Sequence, residues 1–141
     1  MKIAVLGTRG FPNIRGKIES YCENLYPRLA ARGHEVIVFT RLPYVIGPQK
    51  EYRGISFVPL DCSKNTYAES FIHTIKGIFT ARKLKPDLLH FHGIGPSLCI
   101  PLARLLGAKT VMTHHGQDYQ SMKWGRGARM FLKAGEFLGC K

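Results

Sequence analysis

The stretch LLHFHGIGPSLCIPLARLLGAKTVMTHHG, residues 88–116, reads as a strand, a helix and a second strand. Residues 88–91 and 110–113 are predicted to be short strands. Between them, leucines recur at helical spacing over residues 98–106, and Gly107 stops the helix. A strand, a helix and a parallel strand form a right-handed crossover unit, so this stretch predicts an α/β fold.

Both strands of this stretch end in histidine followed by glycine. His90 and His92 close the first strand, and His114 and His115 close the second. In an open α/β sheet, ligands bind in the crevice beyond the carboxyl ends of the strands, and histidine titrates nearest neutral pH. We expect His90 and His92 to point to opposite faces of their strand. His115 and His92, which lie nearer the loops, are predicted to face the crevice, and the other two histidines to be structural.

The rest of the chain repeats the alternation of strands and helices. Predicted strands cover residues 3–6, 36–39 and 55–58, and predicted helices cover residues 18–29, 67–82 and 131–138. Predicted loops cover residues 41–53 and 116–127, where no clear period is found. The sequence has no internal repeat and no linker, so residues 1–141 are predicted to form one domain around a parallel sheet.

The chain carries a net charge of +12, which is large for 141 residues. From residue 71 onward it has 11 Lys and Arg residues against 3 Asp and Glu residues. Such an excess favours anionic partners, namely nucleic acid, anionic lipid head groups or phosphorylated substrates. A basic patch that includes the one tryptophan is formed by Lys123, Trp124, Arg126, Arg129 and Lys133. The patch is either a solvated helix face or a contact for an anionic membrane or a phosphorylated ligand.

The four cysteines, Cys22, Cys62, Cys99 and Cys140, are widely spaced and form no C-x-x-C pair. A metal site or a disulfide framework therefore has no support, and reduced thiols in a cytoplasmic protein are expected. No apolar stretch reaches the length of a transmembrane helix, and the N-terminal apolar run is too short for a signal peptide. Any contact with a membrane is expected to be peripheral.

A loop rich in glycine, proline and arginine, residues 8–17, separates the first strand from the first helix. In doubly wound folds this turn approaches phosphate groups, and the loop is longer than is usual in α/β units. Its glycines, including Gly7, Gly10 and Gly16, match neither the G-x-G-x-x-G fingerprint nor a Walker A loop. Ligand contact and a plain turn both stay open. Glu19, in the first turn of the helix, either complements the helix dipole or aims its carboxylate into the crevice.

The histidines do not indicate a metal centre. A metal needs three or four converging ligands, and Asp118 is the one carboxylate that lies close in sequence to the second histidine pair. We therefore predict no metal, and a histidine that acts as a general base or contacts phosphate.

Several sequence motifs together resemble the pattern of a known protein family. Residues 16–19 end the first loop with Gly-x-Ile-Glu, and residues 29–36 read LAARGHEV. Residues 90–92 are His-x-His, residues 113–119 are Thr-His-His-Gly-x-Asp-Tyr, and residues 123–125 are Lys-Trp-Gly. Together they resemble the N-terminal domain of family 4 glycosyltransferases, in particular the bacterial subgroup that builds surface polysaccharides. The resemblance covers essentially all 141 residues.

The resemblance implies a Rossmann-like, doubly wound parallel sheet that is one half of a two-domain GT-B architecture. Enzymes of this family are retaining glycosyltransferases, with a nucleotide-sugar as donor substrate and neither a metal nor a tightly bound cofactor. Their N-terminal domain binds a saccharide or lipid-linked acceptor at the cytoplasmic face of the membrane.

The resemblance also implies roles for particular residues. His115 matches the catalytic cleft histidine, which contacts the donor sugar. The donor diphosphate would lie near Gly10, Gly16 and Lys17. The acceptor and the cleft would be lined by Glu19, His92 and Asp118.

Two departures from the family pattern matter. Lys17 stands where the family usually has a second glycine, so its side chain could obstruct a phosphate while its charge attracts one. The family's second domain, which holds the nucleotide through paired glutamates, has no counterpart in the sequence. We therefore expect a chain with little or no transferase activity by itself, which needs the missing donor-binding domain in cis or in trans.

Two other functional classes stay open. Arg41, just after the second strand, is where an arginine can meet the 2′-phosphate in an NADP-binding module. A basic scaffold or nucleic-acid binder is the third class, but no recognised reading motif accompanies the basic residues. No nucleic-acid partner is therefore predicted.

Overall fold

The computed structural model describes residues 1–45, 47, 50–63, 65–116 and 126–139. Its elements in chain order are β1 Lys2–Leu6, α1 Lys17–Ala31, β2 Glu35–Arg41, a 3-10 turn Leu42–Tyr44, β3 Glu51–Tyr52, β4 Ile55–Leu60, α2 Thr66–Leu84, β5 Leu88–His92, α3 Ile94–Ser97, α4 Ile100–Leu105, β6 Thr110–Thr113 and α5 Arg126–Gly139. Among the predicted site residues, Asp118, Lys123 and Trp124 lie outside the described residues.

The six strands form one sheet in the order β3-β4-β2-β1-β5-β6. Strands β1, β2, β4, β5 and β6 pair in parallel, while β3 pairs antiparallel with β4. The strand order reverses between β1 and β5, because the chain first builds outward on one side of β1 and then continues on the other. This is the arrangement of a Rossmann-like, doubly wound sheet, and it confirms the predicted fold class.

Strand β3 lies inside residues 41–53, which were predicted to be loop. It joins β4 through Arg53 and Gly54, which both have positive φ angles, 47° and 80°. A two-residue connection with left-handed backbone at both positions is the usual turn of a β-hairpin. A strand of only two residues carries no period, so the hydrophobic pattern could not reveal it.

Each face of the sheet has its own hydrophobic core, because successive strand residues point to opposite faces. On one face, Val5 packs with Cys22 and Tyr26 of α1. On the other face, Leu6 packs with Ile78 of α2 and with residues of α4. The face covered by α1 is the one that carries the site described below.

The helix predicted over residues 98–106 is instead two short helices, α3 and α4, and the first begins earlier, at Ile94. Pro101 explains the division. It has no amide hydrogen to donate to the carbonyl oxygen of Ser97, so the ladder of hydrogen bonds in α3 cannot continue through it.

Helix α5 packs against α3 at a glycine. A Cβ atom at Gly135 would lie 2.8 Å from the carbonyl oxygen of Ile94, so no larger residue fits without movement. The hydroxyl Oγ of Ser97 lies 2.8 Å from the carbonyl oxygen of Gly135. This buried contact fixes the last described helix to the end of β5, since α3 follows that strand directly.

Candidate functional site

The reversal of strand order lies at Gly7, which follows β1, and His92, which ends β5. Gly7 has a φ angle of 101°, and a Cβ atom there would lie 2.2 Å from the carbonyl oxygen of His92. Glycine alone combines this backbone angle with so close an approach. Ligands of doubly wound folds bind in the crevice at this reversal, so the geometry indicates the candidate site here.

His90 and His92 lie on the same face of β5, so the expectation that they point to opposite faces is wrong. Residues two positions apart on a strand share a face, and only consecutive residues alternate. The centroids of the two imidazole rings are 4.2 Å apart. Both rings lie against Tyr26 of α1.

Five side chains form a continuous line of hydrogen bonds, which we call the imidazole chain: Thr113, His90, Tyr26, His92 and His115. Thr113 Oγ1 lies 2.7 Å from His90 Nε2, and His90 Nδ1 lies 2.9 Å from Tyr26 Oη. Tyr26 Oη lies 2.5 Å from His92 Nε2, and His92 Nδ1 lies 2.8 Å from His115 Nε2. The line runs from Thr113 of β6 through the interior and ends at His115, two positions after the last residue of β6.

The inner members of the imidazole chain are uncharged at neutral pH. Burial is the main cause that lowers the pKa of His92 to about 2, and the nearby His90 and His115 also lower it. Burial is also the main cause that lowers the pKa of His90 to about 4, with a smaller contribution from His115. Burial also raises the pKa of Tyr26. Hydrogen bonds rather than charges therefore hold these rings together.

His115 is the histidine of the chain that lies nearest the loops at the crevice. It is half-buried, and the ring of Tyr21 packs edge-on against it with centroids 5.1 Å apart. His92 is fully buried, so it can act on a ligand only through His115. The structure thus brings the two predicted crevice histidines together and gives only His115 access to the surface.

His114 turns toward α5. Its Nε2 lies 3.2 Å from Oε1 of Glu136, and its Nδ1 accepts a hydrogen bond of 3.2 Å from the amide of Gly116. These contacts join the end of β6 to α5 and give His114 a structural role.

Glu19 is buried beneath the first loop. Its Oε1 accepts a hydrogen bond of 3.0 Å from the amide of Arg9 and lies 3.5 Å from Thr8 Oγ1. Thr8 Oγ1 in turn accepts a hydrogen bond of 3.1 Å from the amide of Gly10. A Cβ atom at Gly16 would lie 1.8 Å from Glu19 Oε2. The carboxylate therefore shapes the loop, and Gly16 makes room for it.

Lys17 is the one residue with a long side chain among those predicted to contact phosphate. It is exposed and is the first residue of α1, where backbone amides give a positive potential. Gly10 and Gly16 can offer a ligand only their backbone atoms. The chemistry available here is one ammonium group beside a helix N-terminus.

Arg41, which the dinucleotide-binding alternative needs, is already paired. Its Nη1 lies 3.1 Å from Oε1 of Glu69, and its Nη2 donates a hydrogen bond of 3.2 Å to Ser70 Oγ. Arg41 and Glu69 are each only 8% exposed. A 2′-phosphate would have to displace a buried carboxylate, so this geometry does not favour that alternative.

Helix α5 carries the described members of the predicted basic patch. Arg126 begins the helix, and Arg129 and Lys133 are exposed along it. Met130 and Phe137, which are 74% and 59% exposed, lie on the same side, because helix positions three or four apart share a face. Among the described helices, none is long and apolar enough to span a bilayer.

Within the described part of the chain, no three His, Cys, Asp or Glu side chains are arranged to bind a metal ion. The histidines of the imidazole chain lie close together, but both ring nitrogens of His90 and of His92 take part in hydrogen bonds. A cation would have to break those bonds to reach them.

Tyr26 and Thr113 are the members of the imidazole chain that the sequence did not suggest. Tyr26 lies four positions after Cys22 on the buried side of α1, so helical spacing identifies it as a core residue. A buried tyrosine usually finds a partner for its hydroxyl, and this was the available signal. Its partner could not be named, because His92 is 66 positions away in sequence.

Comparisons with known proteins agree with this geometry. The model of Glycosyltransferase Family 4 matches residues 18–138. WcaI of Escherichia coli (strain K12), whose name assigns it to colanic acid biosynthesis as a glycosyl transferase, is 32% identical over 146 aligned positions. The match covers 85% of this chain and 35% of WcaI.

A solved structure has the same fold. It is described as a UDP-N-acetylglucosamine 2-epimerase from Listeria monocytogenes, and it matches with a TM-score of 0.51 and 15% identity. The match covers 98% of this chain and 36% of that one, and at this identity the likeness concerns the fold alone. The chain thus spans about a third of the length of both proteins. From the family match over most of its length and its identity to WcaI, the chain belongs to glycosyltransferase family 4.

Proposed function

We propose that this chain is the N-terminal, acceptor-binding half of a glycosyltransferase. The complete enzyme would transfer a glycosyl group, with retention, from a nucleotide-sugar to a hydroxyl group of a saccharide or lipid-linked acceptor. Family membership supports glycosyl transfer. The observation that carries the finer proposal is the position of His115, a half-buried histidine backed by an ordered line of hydrogen bonds at the crevice.

On the donor side of the crevice, we assign His115 to contact with the transferred sugar. The backbone of Gly10 and Gly16 and the ammonium group of Lys17 would lie near the donor diphosphate. The exposure of Lys17 at the start of α1 supports this assignment, because helix N-termini favour phosphate groups. No metal and no tightly bound cofactor enter the proposal.

On the acceptor side, Glu19 and His92 would act indirectly. Glu19 holds the first loop through the amide of Arg9, and His92 holds His115. Both are buried, so their effect on an acceptor passes through the groups they contact. Asp118 remains proposed as a direct acceptor contact.

A donor-binding domain, in cis or in trans, completes the proposed enzyme. The match to WcaI covers 35% of that protein, which is consistent with a further domain in the complete enzyme. That domain would bind the nucleotide, and the chain alone would have little or no transferase activity.

The proposal also includes peripheral attachment to the cytoplasmic face of the membrane through α5. Arg129 and Lys133 are exposed on this helix beside Met130 and Phe137. A basic helix face with exposed apolar side chains suits an anionic lipid surface. Such attachment would bring the crevice near a lipid-linked acceptor.

Binding by the purified 141-residue chain tests the proposal, with amide chemical shifts as the readout. A water-soluble lipid diphosphate that carries a short saccharide should shift the amides of Gly93 and Gly116, at the ends of β5 and β6. UDP- and GDP-sugars alone should shift them little, because the nucleotide would bind in the other domain. The Asp118→Ala variant should weaken the response to the saccharide, while His34→Ala, at the amino end of β2 and so away from the crevice, should not.

Two results would contradict the proposal. Tight binding of a nucleotide-sugar without any response to the acceptor analogue would make the chain a nucleotide-binding module instead. Robust glycosyl transfer by the purified chain alone would show that no second domain is needed.

A further inference from the structure

The four hydrogen bonds of the imidazole chain share one direction when each inner group, His90, Tyr26 and His92, donates one bond and accepts one. The interior positions of His90, Tyr26 and His92 leave each group with two partners, and burial keeps both imidazoles neutral. A neutral imidazole donates from one ring nitrogen and accepts at the other. The direction of one hydrogen bond in the line therefore decides the direction of the others.

Two arrangements give each of the four contacts one donor and one acceptor. In the first, Tyr26 donates to His92 Nε2, so His92 Nδ1 carries a proton and donates to His115 Nε2. In the second, every donation is reversed, and His115 donates from Nε2 to His92. The first arrangement keeps the proton of His115 on Nδ1, and the second keeps it on Nε2. Each of the two other combinations leaves one buried group unsatisfied: if both histidines donate to Tyr26 its hydroxyl proton has no partner, and if both accept from Tyr26 one ring nitrogen has no donor.

The distances favour the first arrangement. Hydroxyl donors form shorter hydrogen bonds than N–H donors do: with oxygen acceptors, typical separations are about 2.7–2.8 Å and about 2.9–3.0 Å respectively. The contacts of Thr113 with His90 and of Tyr26 with His92 are 2.7 and 2.5 Å. The contact between His90 and Tyr26 is 2.9 Å, which fits donation by the ring N–H. Thus Thr113 donates to His90, His90 donates to Tyr26, and Tyr26 donates to His92.

We propose that Tyr26, with His90 and Thr113 behind it, is a positioning residue that fixes the tautomer of His115 with its proton on Nδ1. The line of hydrogen bonds occupies Nε2 of His115 as an acceptor, and the crevice histidine keeps an N–H donor on its other ring nitrogen. The tautomer itself does not rest on the proposed function.

The test is the tautomer of His115 in the 141-residue chain, read from long-range proton–nitrogen correlations of 15N-labelled histidine at neutral pH. The chemical shifts of a protonated and an unprotonated ring nitrogen differ widely, so the readout needs no substrate. We expect Nδ1 of His115 to have the protonated-type shift and Nε2 the unprotonated-type shift. A protonated Nε2 on His115 would overturn the proposal.

The variant Tyr26→Phe removes the hydroxyl and keeps the ring. His92 then loses the donor to its Nε2, and we expect the shifts of both His115 nitrogens to move toward intermediate values as both tautomers become populated. The matched control is Tyr21→Phe, because the Tyr21 ring contacts His92 and His115 but its hydroxyl is in none of the four hydrogen bonds. The control should leave the His115 shifts as they are. Equal changes in both variants would mean that ring packing sets the tautomer, and the proposal would fail.

A second pair of variants serves if Tyr26→Phe does not fold. Thr113→Val removes the hydroxyl at the far end of the line, and Thr113→Ser retains it. We expect Thr113→Val to mix the tautomers of His115 and Thr113→Ser to restore the single one. The same tautomer in both would contradict the proposal. A fixed tautomer together with no acceptor binding would instead count against the proposed function alone.

Discussion

At the scale of single residues, Gly7 makes the reversal of strand order possible. Its φ angle of 101° and the 2.2 Å separation between a notional Cβ and the carbonyl oxygen of His92 are two independent reasons for glycine. The neighbour is backbone, which cannot rotate away as a side chain can. Any larger residue must push apart the ends of β1 and β5, where the site lies.

We expect Gly7→Ala to lower the free energy of unfolding by about 1–3 kcal/mol from overcrowding, in addition to the strain of a positive φ angle. The matched control is Gly107→Ala, where φ is 83° but no atom lies within 4 Å of the added Cβ. Urea unfolding of both variants separates the two effects. Equal losses would mean that backbone angle alone, and not the approach of the strands, requires glycine at position 7.

At the scale of elements, α5 combines an anchored side with an exposed one. The anchored side meets α3 at Gly135, and its Glu136 lies beside His114. The exposed side carries Arg129, Lys133 and the apolar side chains beside them. This division is what a helix that attaches a folded domain to a lipid surface requires.

We expect the chain to sediment with vesicles that contain phosphatidylglycerol and to bind neutral phosphatidylcholine vesicles weakly. Reversing two charges in Arg129→Glu/Lys133→Glu should weaken binding to the anionic vesicles by ten-fold or more, since each basic residue near such a surface contributes about 1 kcal/mol.

The matched control reverses two exposed charges on another helix, in Arg82→Glu/Lys83→Glu of α2. It changes the net charge by the same amount and should retain most of the binding. If both double variants lose binding equally, total charge rather than α5 governs the attachment. Equal sedimentation with neutral and anionic vesicles would also contradict attachment by the basic face.

Comparison of the predicted and observed elements shows which of them the hydrophobic pattern of the sequence can predict. The apolar runs of β1 and β2 predicted buried strands because a buried parallel strand needs no polar face, and β5 and β6 form where strands were predicted, although no residue of β6 is buried. The division between α3 and α4 was missed because leucine spacing continues across Pro101, while the missing amide of that proline interrupts the backbone ladder. The strand ends indicated that His115 and His92 lie near each other, but the hydroxyl of Tyr26, which links His92 to His90, is placed by the packing of α1 on the sheet.

At the scale of the whole molecule, three histidines make stability depend on pH: His73 and His92, which are buried, and His90, which is partly buried. Burial lowers the pKa of His73 to about 4, of His90 to about 4 and of His92 to about 2, from an ordinary value of 6.5. Below pH 6.5 the unfolded chain binds protons that the native chain does not bind. The free energy of unfolding therefore falls as the pH drops from 6.5 toward these native pKa values.

His73 offers a way to measure one of these contributions away from the site. It is fully buried, with Nε2 at 3.1 Å from the carbonyl oxygen of Thr40. We expect His73→Gln to reduce the slope of unfolding free energy against pH by about 1 kcal/mol per pH unit between roughly pH 6 and 5. Urea unfolding at a series of pH values measures it. An unchanged slope would mean that His73 is protonated in the native state at these pH values.

Strand β6 ends the sheet beside β5, and Val111 in its middle is 43% exposed. The strand that ends a sheet is a template on which a further strand can pair. In the purified chain, β6 is therefore an edge strand through which two molecules can associate by backbone hydrogen bonds, and this association increases with protein concentration. Measurements on the monomer therefore require a low protein concentration.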